Sequence, residues 1–543
     1  MADNPKAQNY LRGALYLSIA MTAVKVIGAL YKLPIQNLLT EEGGAQYDAA
    51  YRVYATLFTL ATAGLPVAIS KMVSESETRG LGESKRIFQV AQLIFFCIGV
   101  FGALAMFFGA PQIGAAINAP GAVPGIRAIA PSVLLVGLIC PFKGFFQGQG
   151  NMAPTAVAEV LEAAGKLVFG VGLAVMVMVV WIPYGSPEFT GSERQSMGAA
   201  AAILGVSVGM LMSAIFLMSR GKKHKIWEKK PIPGSRRRRV IGKQMLWLAL
   251  PVMLASSVLS VTNLIDIGVI RNLLVDNAGF TTEQMDMYMG SYAYATTLFN
   301  LPAAFIVAIA ISLLPAVTAF KVQGNYQGMR QTVRSAVRVT ALLAAPAAVG
   351  YITLAEPILS LLYSQRVATG GVAIAAPLLQ MLGVAVIFVC IVTVTNSILQ
   401  ALGLIWVPIV TMGVGCLAKI ICTYVLVSNP EIHINGGPIG TVVCYGIITT
   451  LNLAVILRVT RLGHKLLGEF VRPLFAAALM GAIAVGSFLF WSRFLGGRPA
   501  VVPAIAMGAL AYGILLVILG GLQRQDLELL PGGRKLARML RIQ

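Results

Sequence analysis

Long apolar runs separated by short polar segments extend along most of the chain. A transmembrane helix needs about 20 consecutive, predominantly apolar residues. The runs are continuous and do not alternate with a period of two, which excludes an outer-membrane β-barrel. The pattern predicts an all-α, polytopic membrane protein with about fourteen transmembrane helices, at residues 12–38, 47–70, 87–110, 126–148, 154–182, 197–219, 244–273, 288–318, 338–363, 371–400, 404–428, 438–458, 469–492 and 500–522.

The composition strengthens the membrane interpretation. Of the 543 residues, 57% are hydrophobic and 12% are charged, whereas a soluble domain carries about 25% charged residues. Because the polar surface of a soluble protein is missing, the sequence excludes a soluble enzyme carrying a single membrane anchor.

The positive charges are distributed unevenly between the two sets of loops. The chain carries 42 Lys and Arg against 21 Asp and Glu, a net charge of +21. With fourteen helices both termini lie on one side; the segments on that side hold 30 cations, and the opposite loops hold 7. Cytoplasmic loops of membrane proteins are enriched in Lys and Arg, so both termini are predicted to be cytoplasmic. The same rule explains the basic charge without a nucleic-acid partner.

The longest basic connection divides the chain into two similar halves. Residues 220–243 are polar, interrupted by proline and rich in Lys and Arg, as in a cytoplasmic linker. Short matches recur on either side: Lys166 corresponds to Lys419, and Gln147 to Gln400, both at an offset of 253 residues. Duplicated bundles around a shared site are typical of transporters. We therefore predict a six-helix N-lobe, a linker, a six-helix C-lobe, and a final helix pair with a basic tail, at residues 1–219, 220–243, 244–460 and 461–543.

Five lysines lie within or at the ends of the predicted helices, where a charge is costly unless it faces a partner or a water-filled cavity. Lys25 and Lys32 are seven residues apart and share one helix face; Lys32 alternatively reaches the interface. Glu159, Glu162 and Lys166 form one stripe of the fifth helix, in which Glu162 and Lys166 have the i,i+4 spacing of an ion pair, structural or functional. The full set is Lys25, Lys32, Lys143, Lys166 and Lys419.

Polar side chains also follow the predicted seventh, eighth and tenth helices. Asn263 and Asp266 belong to one polar stripe of the seventh helix. Asp266 is interpreted either as a carrier of a proton or sodium ion or as the partner of a nearby lysine. Thr297, Asn300 and Asn396 are candidates for polar cavity residues or for hydrogen bonds between helices.

No constellation in the sequence resembles a catalytic site. It contains no nucleotide-binding loop, no nucleophile paired with a histidine base and no paired acids at a membrane surface. The three histidines lie in loops away from other metal-ligating residues, so no metal and no other cofactor is predicted. These features predict a transporter and not an enzyme, and a cationic interior favours an anionic, phosphate-bearing cargo.

Six segments, in order along the chain, resemble the SpoVB/YtgP branch of the MurJ-type lipid II flippases, within the multidrug/oligosaccharidyl-lipid/polysaccharide (MOP) exporter superfamily. The resemblance implies fourteen helices in two lobes, a cationic central cavity and alternating access driven by the membrane potential or an ion gradient. It also implies a lipid-binding groove formed by the last two helices. The segments are VKVIGALYKLPIQNLL, AYRVYATLFTLATAGLPVAISKMVSE, PFKGFFQGQGNMAPTAVAEVLEAAGKLV, TNLIDIGVI, NLPAAFIVAIAISLLPAV and ALGLIWVPIVTMGVGCLAKI.

The family's motifs suggest roles for individual residues. Its two basic positions in the first helix match Lys25 and Lys32. Its motif of a basic residue followed by Gly-(Tyr/Phe)-Phe-Gln-Gly matches Lys143–Gly148, and the acidic and basic positions after it match Glu162 and Lys166.

The chain also departs from the family pattern. Thr297 and Asn300 stand where Gram-negative members carry Arg and Glu in the eighth helix, and arginines expected in the second helix are missing. The details of substrate binding are therefore expected to differ. The predicted substrate-binding residues are Lys25, Lys32, Arg52, Lys143, Lys166 and Lys419. The predicted charge-pairing or ion-coupling residues are Glu159, Glu162 and Asp266, and the predicted polar cavity residues are Asn263, Thr297, Asn300 and Asn396.

The resemblance implies a flippase that moves the undecaprenyl-pyrophosphate-linked peptidoglycan precursor, lipid II, across the bacterial cytoplasmic membrane. Its partners are then the anionic lipid-linked glycan, membrane lipids and a coupling proton, sodium or chloride ion or the membrane potential. The alternatives are a flippase for another lipid-linked glycan and a MATE-like drug antiporter. The antiporter expects an acid-rich pocket, which Asp266 alone supplies poorly.

Overall fold

The computed structural model describes residues 20–21, 23–24, 26–28, 30–78, 82–182, 189–223, 226, 236–461 and 468–520, and the regular secondary structure in these ranges is helical. The helices are α1 (residues 30–38), α2 (Glu41–Ala63), α3 (Leu65–Thr78), α4 (Ser84–Ala116), α5 (Val123–Gly148), α6 (Ala153–Val175), α7 (Gly191–Lys223), α8 (Arg238–Asp276), α9 (Thr282–Val322), α10 (Tyr326–Leu362), α11 (Gly371–Ala401), α12 (Trp406–Val427), α13 (Gly436–Thr460), α14 (Val471–Leu495) and α15 (Val501–Ile518).

The all-α class predicted from the apolar runs is confirmed. Within the described ranges, ten helical segments are long and apolar enough to cross a membrane, and they contain α4 to α7 and α10 to α15. Large apolar side chains point outward on these helices, as in Phe101, which is 76% exposed, and Ile518, which is 72% exposed. Such surfaces suit contact with lipid. The number of fourteen spanning helices stays a prediction.

The predicted second helix is divided in two. α2 ends at Ala63, Gly64 forms a bend, and α3 begins at Leu65 with proline as its second residue. Proline favours the first turn of a helix and disrupts its interior. A Cβ added at Gly64 would lie 2.6 Å from Cγ of Met253 on α8, so α8 packs directly against the bend.

The contacts divide the chain into two compact units. Unit 1 comprises Met1–Val275 and Phe280–Gly290, and unit 2 comprises Asp276–Gly279 and Ser291–Gln543. Almost all of α8 thus belongs to unit 1 by its contacts, although the sequence repeat assigns residues 244–273 to the C-lobe. Contacts and repeats define different divisions, and the lobe boundaries stay a prediction.

The same order of helix packing occurs in each unit. In unit 1, α4 packs on α5, and both α5 and α6 pack on α7. In unit 2, α10 packs on α11, and both α11 and α12 pack on α13. α14 and α15 pack on each other and on α10, where the Tyr512 hydroxyl donates to the Leu342 carbonyl at 2.9 Å.

Glycines bring α6 and α7 into backbone contact. A Cβ added at Gly165 would lie 2.7 Å from Cα of Gly209, and one added at Gly205 would overlap the Gly170 backbone. Small residues allow transmembrane helices this close approach. The contact fixes the height and rotation of α6, the helix that carries Glu162 and Lys166.

Candidate functional site

A ladder of aromatic rings on α2 forms one wall of the candidate site in unit 1. Tyr47, Tyr51, Tyr54 and Phe58 recur at helical spacing, with successive ring centroids 5.5 to 6.0 Å apart. The Tyr47 and Tyr51 rings are stacked, with an angle of 7° between their planes. Spacings of three and four residues place side chains on one helix face, so α2 presents a continuous aromatic surface.

Lys166 rests between two tyrosines. Its Nζ lies 4.7 Å from the ring centroid of Tyr31 and 4.4 Å from that of Tyr51, and it donates to the Tyr51 hydroxyl at 3.3 Å. The negative faces of aromatic rings attract a cation. Tyr31 is fixed in turn by its hydroxyl, which donates to the Ala202 carbonyl at 2.7 Å. The predicted interior position of Lys166 is thus built from α1, α2, α6 and α7.

Lys32 and Arg52 share one carboxylate. Nε of Arg52 donates to Oδ2 of Asp48 at 2.6 Å, and Nζ of Lys32 lies 3.9 Å from Oδ1. The side chains of Lys32, Arg52 and Asp48 are 22%, 20% and 11% exposed. The sequence offered Lys32 no partner in its own helix; Asp48 supplies one from α2.

Lys143 on α5 binds both predicted glutamates of α6. Its Nζ donates to Oε1 of Glu159 at 2.7 Å and lies 3.8 Å from Oε2 of Glu162. Glu162 thus has Lys143 of the neighbouring helix at ion-pair distance, a partner additional to the Lys166 that the i,i+4 spacing suggested. The spacing within one helix does not reveal that α5 approaches the same face.

Two further predicted residues of unit 1 lie on α8. Asp266 is buried and Asn263 is half-buried. One turn before Asn263, the Ser260 hydroxyl donates to Oγ1 of Thr59 at 3.1 Å, and the Thr56 hydroxyl donates to the Ser260 carbonyl at 3.1 Å. The polar stripe of α8 thus contacts α2, the helix that carries the aromatic ladder. Lys25 lies outside the described residues.

A buried pair at one end of α8 was missed by the sequence analysis. Arg271 is 1% exposed; it donates to Asp286, and its Nε donates to the Asn118 carbonyl at 3.1 Å. The sequence treated Arg271 only as a loop cation. In the sequence, the only signal is an arginine that precedes an acid of the next helix by fifteen residues. This signal is weak, and only the packing of the helices identifies the pair.

The predicted polar residues of unit 2 meet neutral partners. Nδ2 of Asn452, which is fully buried on α13, donates to Oδ1 of Asn396 at 2.8 Å and to Oγ1 of Thr395 at 3.1 Å. Its Oδ1 accepts from the Thr411 hydroxyl at 2.8 Å. Asn452 therefore joins helices α11, α12 and α13, with Asn396 as one of its partners, and the sequence analysis missed Asn452.

The remaining candidates of unit 2 lie on α9 and α12. The Thr297 hydroxyl donates to the Ala293 carbonyl at 2.8 Å, and Nδ2 of Asn300 donates to the Thr296 carbonyl at 2.7 Å. Lys419 is buried, and its Cγ would lie 3.6 Å from a Cβ added at Gly440. Thr297 and Asn300 thus bond to their own helix, while Lys419 faces α13.

These contacts bring predicted site residues of several helices together. In unit 1, aromatic rings and ammonium groups lie side by side, and Lys166 is held by π-faces and a hydroxyl. Over the described ranges, no group of three or more His, Cys, Asp or Glu side chains is positioned to hold a metal ion.

Comparison with known protein families gives two matches. A family model described as polysaccharide biosynthesis protein matches residues 10–321, more than half of the chain. A second model, described as MatE, matches residues 279–425.

Individual relatives agree with these matches. Lipid II flippase MurJ of Bacillus subtilis (strain 168) is 25% identical over 369 residues, which cover 65% of this chain and 66% of MurJ, just under two thirds of its length. Stage V sporulation protein B of the same organism is 24% identical over 530 residues, or 96% of this chain and 98% of that protein. A solved structure of lipid II flippase MurJ in the inward closed conformation matches 93% of this chain and 98% of its own, with a TM-score of 0.68 at 15% identity. At that identity the structural likeness shows the fold.

Proposed function

This chain belongs to the polysaccharide biosynthesis protein family and is a MurJ/SpoVB-type member of the MOP superfamily. From that membership we propose that it translocates a lipid-linked, pyrophosphate-bearing glycan precursor across the cytoplasmic membrane. Lipid II is the first candidate substrate, because MurJ of Bacillus subtilis carries that substrate in its name. The relatives are transporters and flippases, not enzymes, and the chemistry required is recognition of a phosphate-bearing cargo.

The observation that carries this proposal is the environment of Lys166. Among the described residues, no carboxylate lies within ion-pair distance of its Nζ, which is held by Tyr31 and Tyr51. Lys32 and Lys143, in contrast, are paired with acids. Lys166 therefore offers its charge to a pyrophosphate, as a point charge on a flexible stem.

The other predicted residues extend this proposal. We assign Lys25, Lys32, Lys419 and Arg52 as further cationic contacts. Lys143 with Glu159 and Glu162 serves to fix α5 against α6. Asp266 is assigned to ion coupling, and Asn263, Thr297, Asn300 and Asn396 are kept as polar cavity residues.

A second candidate is a flippase for another lipid-linked polysaccharide precursor. It is favoured by the family's description as polysaccharide biosynthesis proteins and by the near-complete coverage of stage V sporulation protein B. Both candidates share the phosphate-bearing carrier, so the same cation would serve either.

The orientation is a further proposal, with both termini cytoplasmic on the strength of the 30 cations against 7. In a cysteine-free background, a cysteine at Ser235 should react only with reagents added to the cytoplasmic side. A cysteine in the loop that ends at Gly436 should react only from outside; Glu431 is the position to replace, because it is exposed while Gly436 itself is buried. The reverse pattern would invert the topology.

Growth rescue tests the proposed function. A bacterial strain depleted of its own lipid II flippase should be rescued by this chain, and its lipid II should again reach the outer leaflet. Lys166→Gln should abolish rescue because the charge is lost, Lys166→Arg should keep most of it, and Lys71→Gln, which removes an exposed cation of α3, should behave as wild type. Rescue by Lys166→Gln at normal membrane levels would remove the role of Lys166. Failure of the wild-type chain at normal levels would remove lipid II as substrate.

A further inference from the structure

A groove of about 1090 Å³ lies between α4 and the first turns of α8 in unit 1. It does not involve the aromatic ladder, Lys166 or the Lys143 pair. Its walls include three cations and a run of large apolar side chains. The residues that matter here are Arg238, Arg239, Lys243, Leu93, Ile94 and Trp247.

The cations stand together at one end of the groove. Arg238, Arg239 and Lys243 are exposed and lie within the first two turns of α8. No acidic side chain is among the residues that line the groove. Within the part of the chain that the structure describes, none of the three forms an ion pair, so together they make a positive patch, which attracts an anionic group.

A separate ion pair fixes the position of this patch. Arg236 donates from its backbone N to Oε1 of Glu83 at 2.6 Å and from Nε to Oε2 at 2.8 Å; its Nη1 also donates to Gln244 at 2.8 Å. Glu83 immediately precedes α4, so this contact joins the start of α8 to the start of α4. Glu83 is thus occupied by Arg236, and the contact holds the two walls of the groove together at this end.

The remainder of the groove is apolar and open. Leu93 is 63% exposed and Trp247 is 76% exposed, beside the half-buried Ile94. Gly242 lets the backbone of α8 approach Ile94 at the base of the groove, because a Cβ there would lie 3.2 Å from Cδ1 of Ile94. An apolar trench that begins at a cluster of cations fits a molecule with an anionic head and a hydrocarbon tail.

The location of the groove favours a membrane lipid as that molecule. The cations belong to the basic segment 220–243, which the charge distribution places at the cytoplasmic surface. Tryptophan is enriched at membrane interfaces, and basic pockets between helices on that side bind anionic lipid headgroups.

We propose that the α4–α8 groove is a binding site for an anionic phospholipid of the cytoplasmic leaflet, with the headgroup phosphate on Arg238, Arg239 and Lys243 and an acyl chain along Leu93, Ile94 and Trp247. The proposal does not depend on the transported substrate. The site is built from helices other than the last two, to which the family resemblance assigns a lipid groove.

Lipid titration of the purified full-length chain in detergent tests the proposal. Phosphatidylglycerol should bind and raise the midpoint of thermal unfolding, because a ligand that binds only the folded state stabilises it; phosphatidylcholine should do neither. R238Q/R239Q/K243Q should weaken phosphatidylglycerol binding more than about tenfold, and Lys243→Gln alone about fivefold. The matched control R220Q/K222Q/K223Q removes three exposed cations at the end of α7 and should bind within about twofold of wild type. An equal loss in both triple variants would reduce the effect to general surface attraction and overturn the site.

A second variant tests the hydrocarbon part of the site without changing its charge. Leu93→Gln puts a polar side chain into the trench at a position that is 63% exposed, and it should weaken phosphatidylglycerol binding while leaving the unfolding midpoint without lipid unchanged. In a variant that keeps only Trp247, phosphatidylglycerol with brominated acyl chains should quench its fluorescence. Glycerol phosphate at millimolar concentration should not displace the lipid; displacement would mean a headgroup-only phosphate site, and absence of quenching would place the chain elsewhere. Either result overturns the proposal.

Discussion

In unit 1, Lys143 on α5 donates to Glu159 on α6 at 2.7 Å. At the offset of 253 residues that relates Lys166 to Lys419, the position corresponding to Lys143 in unit 2 is Asn396 on α11, which accepts a hydrogen bond from Asn452 at 2.8 Å. The helices around these residues pack in the same order in both units. One arrangement of helices thus supports an ionic contact in one unit and a neutral amide contact in the other, so the packing does not determine the chemistry of the interior.

The helix pairs differ in a second way. Between α6 and α7 the close contacts join backbone to backbone, as at Gly205 and Gly170. Between α12 and α13, the atom nearest to a Cβ added at Gly440 belongs to a side chain, the Thr423 hydroxyl. Side chains can rotate away and backbones cannot, so Gly205 should tolerate less change than Gly440.

The largest expected effect comes from breaking the ionic contact. Lys143→Gln removes the cation that pairs with the Glu159 and Glu162 carboxylates in a poorly hydrated interior. It should lower the free energy of unfolding by about 3 to 5 kcal/mol. Asn452→Leu, its neutral counterpart, leaves hydroxyl and amide groups unsatisfied and should cost about 1 to 3 kcal/mol. Denaturant titration in detergent micelles measures both.

The control is the triple variant K143Q/E159Q/E162Q, which removes both signs of charge and should recover most of the loss. A Lys143→Gln protein as stable as Asn452→Leu would show that the pair is hydrated and that the two interiors are equivalent.

The glycine contacts should give the next largest effect. Gly205→Ala forces α6 and α7 apart and should cost about 3 kcal/mol, the upper part of the range for overpacking. Gly440→Ala should cost about 1 kcal/mol, because the Thr423 side chain can turn. Gly172→Ala, with no atom within 4 Å of the added Cβ, is the control on α6. Unfolding midpoints in one detergent rank the three, and a smaller loss in Gly205→Ala than in Gly440→Ala would contradict the comparison.

The smallest expected effect concerns ion pairs at helix ends, which both units use. Glu83 binds Arg236 in unit 1, and Glu469 binds Arg334 and Arg338 in unit 2. Burial alone raises the pKa of Glu83, but the backbone and side-chain hydrogen bonds from Arg236 outweigh it and hold the pKa below its ordinary value. A carboxylate with a lowered pKa stabilises the fold above the pKa of the unfolded chain, and this contribution is lost as the pH falls through the folded pKa.

Wild type should therefore lose about 1 kcal/mol of stability more than Glu83→Gln between pH 7 and strongly acidic conditions. Unfolding midpoints measured across that range for both proteins test the sign. Parallel curves would show that Arg236 does not stabilise the carboxylate.

The sequence predicted the helical fold because membrane helices depend on local hydropathy. It proposed an interior position for Lys166, which is half-buried and contacts two tyrosines in the structure. It offered Glu162 a partner in Lys166, and the structure adds Lys143 of the neighbouring helix at ion-pair distance. Asn452 and Arg271 were missed because their partners lie on other helices. The spacing of residues within one helix does not show how that helix is rotated against its neighbours.

The two tyrosines around Lys166 have a consequence for how quickly an anion can be exchanged. A cation on aromatic faces is held by about 0.5 to 2 kcal/mol, whereas release of a lysine from a buried carboxylate costs several kcal/mol. An arriving phosphate would therefore displace rings and not a competing anion, and on departure the rings would take the ammonium back. The Lys166 side chain can therefore bind and release an anion repeatedly while its ammonium group always keeps a favourable contact.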